Sequence, residues 1–356
     1  MGGKLNILIL GASYGSLLGT KAALAGHDVT LVCLPHEAEA INRDGAIVRI
    51  PVKGRDGLLE VNSKTLPGRM TAAVTSAVDP AHFDLVALAM QEPQYAAPGV
   101  RELLAQVAKA RKPCLSIMNM PPLPYLKRIR GLNTTALASC YTDPSVWAAF
   151  DPGKVTLCSP DPQAFRPPEE KINVLQVRLP TNFKAARFES DADTALLVQL
   201  QNDIEAARYM HDGEALELPV KLKVHQSIYV PLAKWAMLLS GNYRCIGKDG
   251  MRPIREAVHA DLAVTRAVYD WVVELCIGLG AGANDMVPFD KYAAAAQALA
   301  SPSSAARALL AGAQNIERVD KLVQTIAAQR GLRNPSVDAT VALVDGWLAA
   351  NRRKSA

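Results

Sequence analysis

Nowhere in this chain of 356 residues does an apolar run approach the roughly 18 residues of a membrane-spanning helix. The N-terminus has no basic region followed by a cleavable apolar segment, because Leu5–Leu10 is far too short to be one. Cysteines are few, and Cys33, Cys114, Cys140, Cys158, Cys245 and Cys276 form no close pairs. That spacing argues against a disulfide framework and against a zinc site, and for reduced thiols in a cytoplasmic protein with no metal. Aromatic residues are scarce at 5%, and neither sign of charge is concentrated. A net charge of +5 is too diffuse for a nucleic-acid partner, though it suits a small anionic molecule. No internal repeat or low-complexity tract stands out. The remaining composition, 49% apolar and 21% charged, is that of a soluble globular protein. Its length exceeds what one core usually supports, so two domains are expected.

The stretch Leu5–Val32 organises the chain. Leu5–Leu10 is a short apolar run ending on Gly11, which reads as a strand buried on both faces. Small residues follow, then a helical pattern with Leu17, Leu18, Leu24 and Ala25 on one face. Gly26 stops it, and Asp28–Cys33 resumes as a second strand. This is a βαβ unit with parallel strands. Its first turn, Gly11, Ala12, Ser13, Tyr14 and Gly15, places backbone N–H groups and the positive end of a helix where a phosphate can sit. A Rossmann dinucleotide-binding unit is the best reading. The same five residues also match G-x-S-x-G, the nucleophile elbow of serine hydrolases, with Ser13 as nucleophile. Position weighs against it, since an elbow needs several strands before it and only ten residues precede Gly11. A tight turn that binds nothing is the third alternative.

Further along, Ile47–Ile50 and Leu58–Asn62 read as a hairpin across Gly54–Gly57, and Ala73–Thr75 as a short strand. Asp84–Met90 and Pro113–Met118 are buried strands separated by a helix over Gly99–Ala110. Ligands of open parallel sheets bind beyond the carboxyl ends of the strands. Gln91, Gln94 and Asn119 therefore stand where a nicotinamide ring and its substrate would meet, or are plain loop side chains in water. From Arg130 to Phe188 proline-rich punctuation separates short β-like runs, read as an antiparallel extension of the first sheet. Asp193–Met210 has helical spacing and Leu216–Val220 is a short extended piece. Lys221–Cys245, Arg255–Leu279, Tyr292–Leu299, Ala305–Ala311, Gln314–Gln329 and Ser336–Ala350 all carry helical spacing. The expected architecture is α/β: a doubly wound Rossmann domain over 1–218 and an all-helical domain for substrate and dimerisation over 219–356.

In that second part, Lys234 is the only charged group in YVPLAKWAMLLS. An ammonium in apolar surroundings loses hydration, which lowers its pKa, as a catalytic lysine requires. The alternative is a lysine snorkelling from the edge of a core-facing helix. Asn242 follows eight residues later, about 80° round an α-helix, close enough to share a cleft.

Together these residues make the chain resemble the ketopantoate reductase (2-dehydropantoate 2-reductase) family, end to end apart from an expanded segment near 130–190. The matching pieces are ILILGASYGSLLG…AGHDVTLV, DLVALAMQEPQ, SIMNMPP, PLAKWAMLLSGNYRC, SPSSAARALLAG and IERVDKLVQTIAAQRGLRNP. The resemblance implies a Rossmann domain, a helical domain, a cleft between them, and hydride transfer from NADPH to a 2-oxo acid. It implies a general-acid role for Lys234 and substrate-binding roles for Asn119, Asn242 and Ser304. It implies pyrophosphate contacts at the Gly11–Gly15 turn and cofactor contacts at Gln91, Gln94 and Asn119, with a homodimer as the family-level expectation. The departures also inform. Ser13 replaces the middle glycine of a turn one residue short, and Gln91 stands where the family carries a lysine. Leu238 replaces an asparagine one turn after Lys234. Asn315 occupies the acidic substrate-binding position, with Glu317 two residues on. No basic residue follows the second strand directly. His36, Arg43 and Lys53 are the nearby substitutes, so NADP over NAD rests on the resemblance.

Overall fold

The computed structural model describes residues 3–355. Its strands are β1 (Asn6–Leu10), β2 (Asp28–Val32), β3 (Ile47–Ile50), β4 (Leu59–Asn62), β5 (Met70–Ala73), β6 (Leu85–Leu88), β7 (Cys114–Ile117), β8 (Val155–Ser159), β9 (Gln163–Phe165), β10 (Val174–Leu179), β11 (Phe183–Ala186), β12 (Tyr209–His211), β13 (Glu214–Leu216) and β14 (Leu222–His225). The helices are α1 (Tyr14–Leu24), α2 (Pro35–Asp44), α3 (Val100–Ala110), the single turn α4 (Leu123–Leu126), α5 (Asp191–Ala206), α6 (Ala233–Met237), α7 (Ile254–His259), α8 (Leu262–Leu279), α9 (Phe289–Ala296), α10 (Ser304–Leu310), α11 (Val319–Gln329) and α12 (Pro335–Ser355). Two compact units emerge. One gathers residues 3–90, Gln94–Tyr125 and Val146–Gln226; the other gathers Gln91–Pro93, Leu126–Ser145 and residues 227–355.

The first unit is built on an eight-stranded sheet of order β14-β11-β8-β7-β6-β1-β2-β5. From β5 to β8 every pairing is parallel. Taken in chain order, those six strands run 3-2-1-4-5-6, the doubly wound Rossmann arrangement. The central strands β6 and β7 are buried at every position, as near-continuous apolar runs covered on both faces should be. Strand β11 joins β8 antiparallel, but the β-like runs read as an antiparallel extension do not form one: β8 pairs parallel with β7, and β10 lies in a second sheet. A second sheet, β4-β3-β10-β9, contains the expected hairpin, with Ile50 opposite Leu59. Helix α1 touches β1, β2, β3, β5 and α5. This explains its burial almost all the way round, from Gly15 to Leu24. Burial includes Lys21, whose Nζ donates to the Leu218 carbonyl at 2.8 Å.

Five sequence-based expectations need correction. The strand expected at Ala73–Thr75 runs over Met70–Ala73, where pairing with β2 sets it, and Thr75 opens a 3-10 turn. Helix α5 ends at Ala206, and Tyr209–His211 pairs with Glu214–Leu216 as a two-stranded ribbon. Leu222–His225 is a strand parallel to β11, not the start of a helix. The pattern over Arg255–Leu279 breaks at Asp261, whose carboxylate accepts from the Val264 N–H at 3.0 Å and caps α8. Helix α11 starts at Val319, which leaves residues 314–318 in a loop.

In the second unit, α6 packs on α8, and α11 on α12. Residues 126–145 are tied to α11. Asn133 and Gln329 exchange two hydrogen bonds at 3.1 and 3.0 Å, and Cys140 lies 3.5 Å from the Thr325 hydroxyl. The buried Arg318 guanidinium grips Asp320 through two 3.0 Å bonds and reaches Asp345 at 2.6 Å. The expanded segment is therefore shared, its first part helical-unit structure and its remainder sheet.

Candidate functional site

The turn between β1 and α1 lies where the strand order reverses. Gly11 has φ +103°, and a Cβ there would fall 2.6 Å from Met90 Cγ and 2.8 Å from the Ala89 carbonyl oxygen. Only glycine fits both constraints. Its N–H donates to the Val32 carbonyl at 2.8 Å, which ties the turn to β2. Gly15, one residue into the helix, faces Ile9, where a Cβ would come within 2.8 Å of Cγ2. It therefore does the helix-to-strand packing that the last glycine of the longer motif performs. Ser13 precedes the helix and makes no capping hydrogen bond, and no acidic residue stands in the first turn. First-turn amides have no acceptors within the helix. A glycine turn leading into a helix N-terminus at a sheet's switch point is the kind of place that fits the pyrophosphate of a dinucleotide. The Tyr14 hydroxyl donates to the Pro162 carbonyl at 2.9 Å, which fixes the turn against the β8–β9 connection. Among the described residues no histidine hydrogen-bonds to Ser13, as a serine nucleophile would need.

Of the nearby cations, His36 is exposed at the start of α2 and Lys53 is exposed in the β3–β4 turn. Arg43 pairs with Asp44 at 3.0 Å at the far end of α2. None of these three pairs with the only acid in the first turn of α2, Glu37. That carboxylate is instead ion-paired with Arg166, which follows β9.

At the carboxyl ends of the next two strands, Gln91 and Gln94 are exposed and Asn119 is half-buried. The buried Tyr95 hydroxyl accepts from the Met90 N–H at 3.1 Å, fixing the chain as it leaves β6.

Lys234 is half-buried on α6 between the buried Ala233 and Trp235. The helical run does not stay α. It passes to a π turn over Leu238–Asn242 and a tight 3-10 turn over Tyr243–Cys245. A π turn advances fewer degrees per residue than an α turn, so Asn242 lies nearer the azimuth of Lys234 than α spacing gives. Changing the winding releases carbonyls from the regular ladder, and side chains take them up. Ser240 donates to Ala236 O at 2.6 Å, and Tyr292 donates to Met237 O at 3.1 Å. The Cys245 thiol reaches Gly241 O at 3.5 Å, and Ser303 donates to Asn242 O at 2.7 Å. Gly241 gives Tyr292 room, since a Cβ there would meet its hydroxyl at 2.0 Å.

The serine pair divides its work. Ser303 is buried, caps α10 through the Ala306 N–H, and holds Asn242. Ser304 is exposed at the first position of α10. Asn315 is exposed, and its side-chain oxygen accepts from Arg352 at 3.0 Å. Glu317 is buried. Its carbonyl accepts from the Tyr243 hydroxyl, and its carboxylate lies 3.4 Å from the Glu92 N–H. The Glu92 carboxylate is itself buried and accepts from the Thr142 N–H and hydroxyl at 3.0 and 2.9 Å. Burial pushes its pKa up to about 7 against those hydrogen bonds, and Glu317 adds to the rise. Ser303, Tyr292 and Glu92 escape sequence reasoning, because nothing local marks which polar residue will face which carbonyl. Among the described residues no three His, Cys, Asp or Glu side chains gather in a way that could hold a metal ion.

No family model matches this chain, and no curated protein matches its sequence. Solved structures do match its fold. A ketopantoate reductase from Ralstonia eutropha superposes with a TM-score of 0.63 at 15% identity, covering 98% of this chain and 100% of that one. D-mandelate dehydrogenase, in a ternary structure with NADH and anilino(oxo)acetate, has a TM-score of 0.61 at 15% identity, covering 98% and 100%. A dimeric ketopantoate reductase from Staphylococcus aureus has a TM-score of 0.59 at 10% identity, covering 98% and 100%. The chain therefore has the fold of these proteins from end to end: a Rossmann sheet followed by a helical region.

Proposed function

We propose that this protein is an NAD(P)H-dependent oxidoreductase that reduces a 2-oxo acid to the 2-hydroxy acid, with Lys234 as general acid. The observation that carries the reading is the glycine turn at the switch point of a 3-2-1-4-5-6 sheet, uncapped and free of acidic side chains. The end-to-end match to a ketopantoate reductase and to an NADH-bound dehydrogenase supports it. The reduced nicotinamide, when bound, supplies the hydride. Lys234 then has two tasks at its Nζ: to stabilise the charge building on the former carbonyl oxygen, and to give that oxygen a proton. Asn242, Asn119, Ser304 and Asn315 are the proposed contacts to a small anionic substrate. Gly11, Ala12, Ser13, Tyr14, Gly15, Gln91, Gln94 and Asn119 are the proposed contacts to the cofactor. NADP is favoured over NAD. With Asn315 where an acid would hold pantoate-type hydroxyls, 2-oxo acids other than ketopantoate belong in the test. A homodimer in the cytoplasm is the proposed working form.

The test is a screen of NADPH and NADH oxidation across 2-oxo acids, ketopantoate included, together with nicotinamide fluorescence on binding. The reading expects enhanced fluorescence and turnover of at least one 2-oxo acid. Absence of binding by either dinucleotide overturns it, and binding without turnover of any 2-oxo acid leaves a dinucleotide-binding protein instead.

A further inference from the structure

The β8–β9 connection and the residue after β9 are pinned to two places on the nucleotide side of the Rossmann sheet. Tyr14 of the glycine turn donates to Pro162 O at 2.9 Å. Beyond the end of β2, Glu37 lies in the first turn of α2, and one of its oxygens accepts from the Leu34 N–H at 3.0 Å. Its other oxygen is ion-paired with the Arg166 guanidinium. Two further contacts hold this segment: Lys184 pairs with Asp161 at 3.1 Å, and Arg178 stacks over the Phe165 ring at 4.0 Å. Arg166 is thus held beside the carboxyl end of β2 by a segment far away in sequence. It keeps 22% of its side chain exposed, against 12% for Glu37.

In a Rossmann sheet the adenosine ribose lies at the end of the second strand, where an acid accepts from a 2′-hydroxyl or an arginine accommodates a 2′-phosphate. Both residue types are present here, and they are paired to each other. Glu37 already has one contact on each oxygen, whereas a guanidinium has five donors in a planar fork and uses one here. A phosphate monoester at neutral pH carries more charge than a carboxylate and takes a bidentate fork well.

We propose that Arg166 is the specificity residue for a 2′-phosphorylated dinucleotide, with Glu37 as the partner that holds it in place until the phosphate takes over its free donors. This deepens the oxidoreductase reading and rests on it. The cation comes not from a residue near β2 in sequence but from the residue that follows β9 in the expanded segment.

The test measures dissociation constants for NADPH and NADH by quenching of intrinsic fluorescence, and competition by adenosine 2′,5′-bisphosphate against AMP. Wild type, Arg166→Ala and Glu37→Gln are compared, with thermal unfolding as a check on folding. Charge-assisted hydrogen bonds of this kind correspond to roughly a tenfold preference or more. Wild type is expected to prefer NADPH and the bisphosphate by that factor. Arg166→Ala should erase the preference while NADH binding shifts by less than about threefold. Glu37→Gln should tighten NADPH, because it removes a like charge from beside the phosphate. Equal loss of NADPH and NADH in a folded Arg166→Ala protein, or an unchanged ratio, overturns the assignment and leaves the oxidoreductase reading standing. Failure of wild type to bind either dinucleotide overturns both.

Discussion

A carboxyl that titrates near neutrality is a measurable property of this molecule. Folded Glu92 keeps its proton up to about pH 7, whereas the unfolded side chain releases it near 4.5. Between those values the folded state binds the extra proton. Stability contributed by Glu92 therefore falls as pH rises from 4.5 to 7, and the whole penalty stands above 7. Glu92→Gln should flatten that slope and raise stability at pH 8 by about 1–3 kcal/mol. Urea midpoints at pH 5 and pH 8 measure both effects, and equal wild-type and variant slopes would refute the account. Lys21 runs the opposite way. Burial lowers its pKa to about 8 from 10.5, with Lys221 adding to the drop. Between those values the folded state binds fewer protons, so stability should rise with pH from 8 to 10.5. Lys21→Met should remove that rise, as denaturation across the same range will show. Neither residue was legible from sequence as a perturbed group. A glutamate in MQEPQ and a lysine in a helical stretch look ordinary until the elements that bury them are known.

At the scale of elements, what was legible was local. The βαβ unit, the β3–β4 hairpin and the buried strands β6 and β7 follow from runs and turns within about 30 residues of each other. Leu222–His225 was missed because two apolar residues alternating with a lysine and a histidine make a weak strand pattern beside the strong helical one that follows. Pairing with β11 decides it. The π turn was missed for the same reason: donors from Tyr292 and Ser303, 50 residues or more away, stabilise it. The account makes that turn a packed device. Gly241→Ala pushes a methyl group onto the Tyr292 hydroxyl and within 3.0 Å of Val258 Cγ2. It should cost about 1–3 kcal/mol, and Tyr292→Phe alone about 1 kcal/mol. The double variant should lose less than the sum, because removing the hydroxyl removes the clash. Strict additivity in chemical denaturation would contradict this picture.

For the whole molecule, the Rossmann sheet with its helical continuation was readable, since order and spacing of weak motifs survive where identity to solved structures is only 10–15%. The division into units was less so. The sequence boundary near Pro219 follows the end of the β-like pattern, while the compact helical unit also takes up 126–145 through contacts to α11. Among the described residues no helix is long and apolar enough to cross a membrane. The chemistry proposed above rests on Lys234, half-buried at the head of a helix whose winding is set by side chains from α9 and from the residue before α10. The most direct test compares Lys234→Ala with wild type in NADPH affinity and in kcat for the best 2-oxo acid. The account expects unchanged affinity and kcat lower by roughly a hundredfold or more. Full turnover by the variant would contradict it.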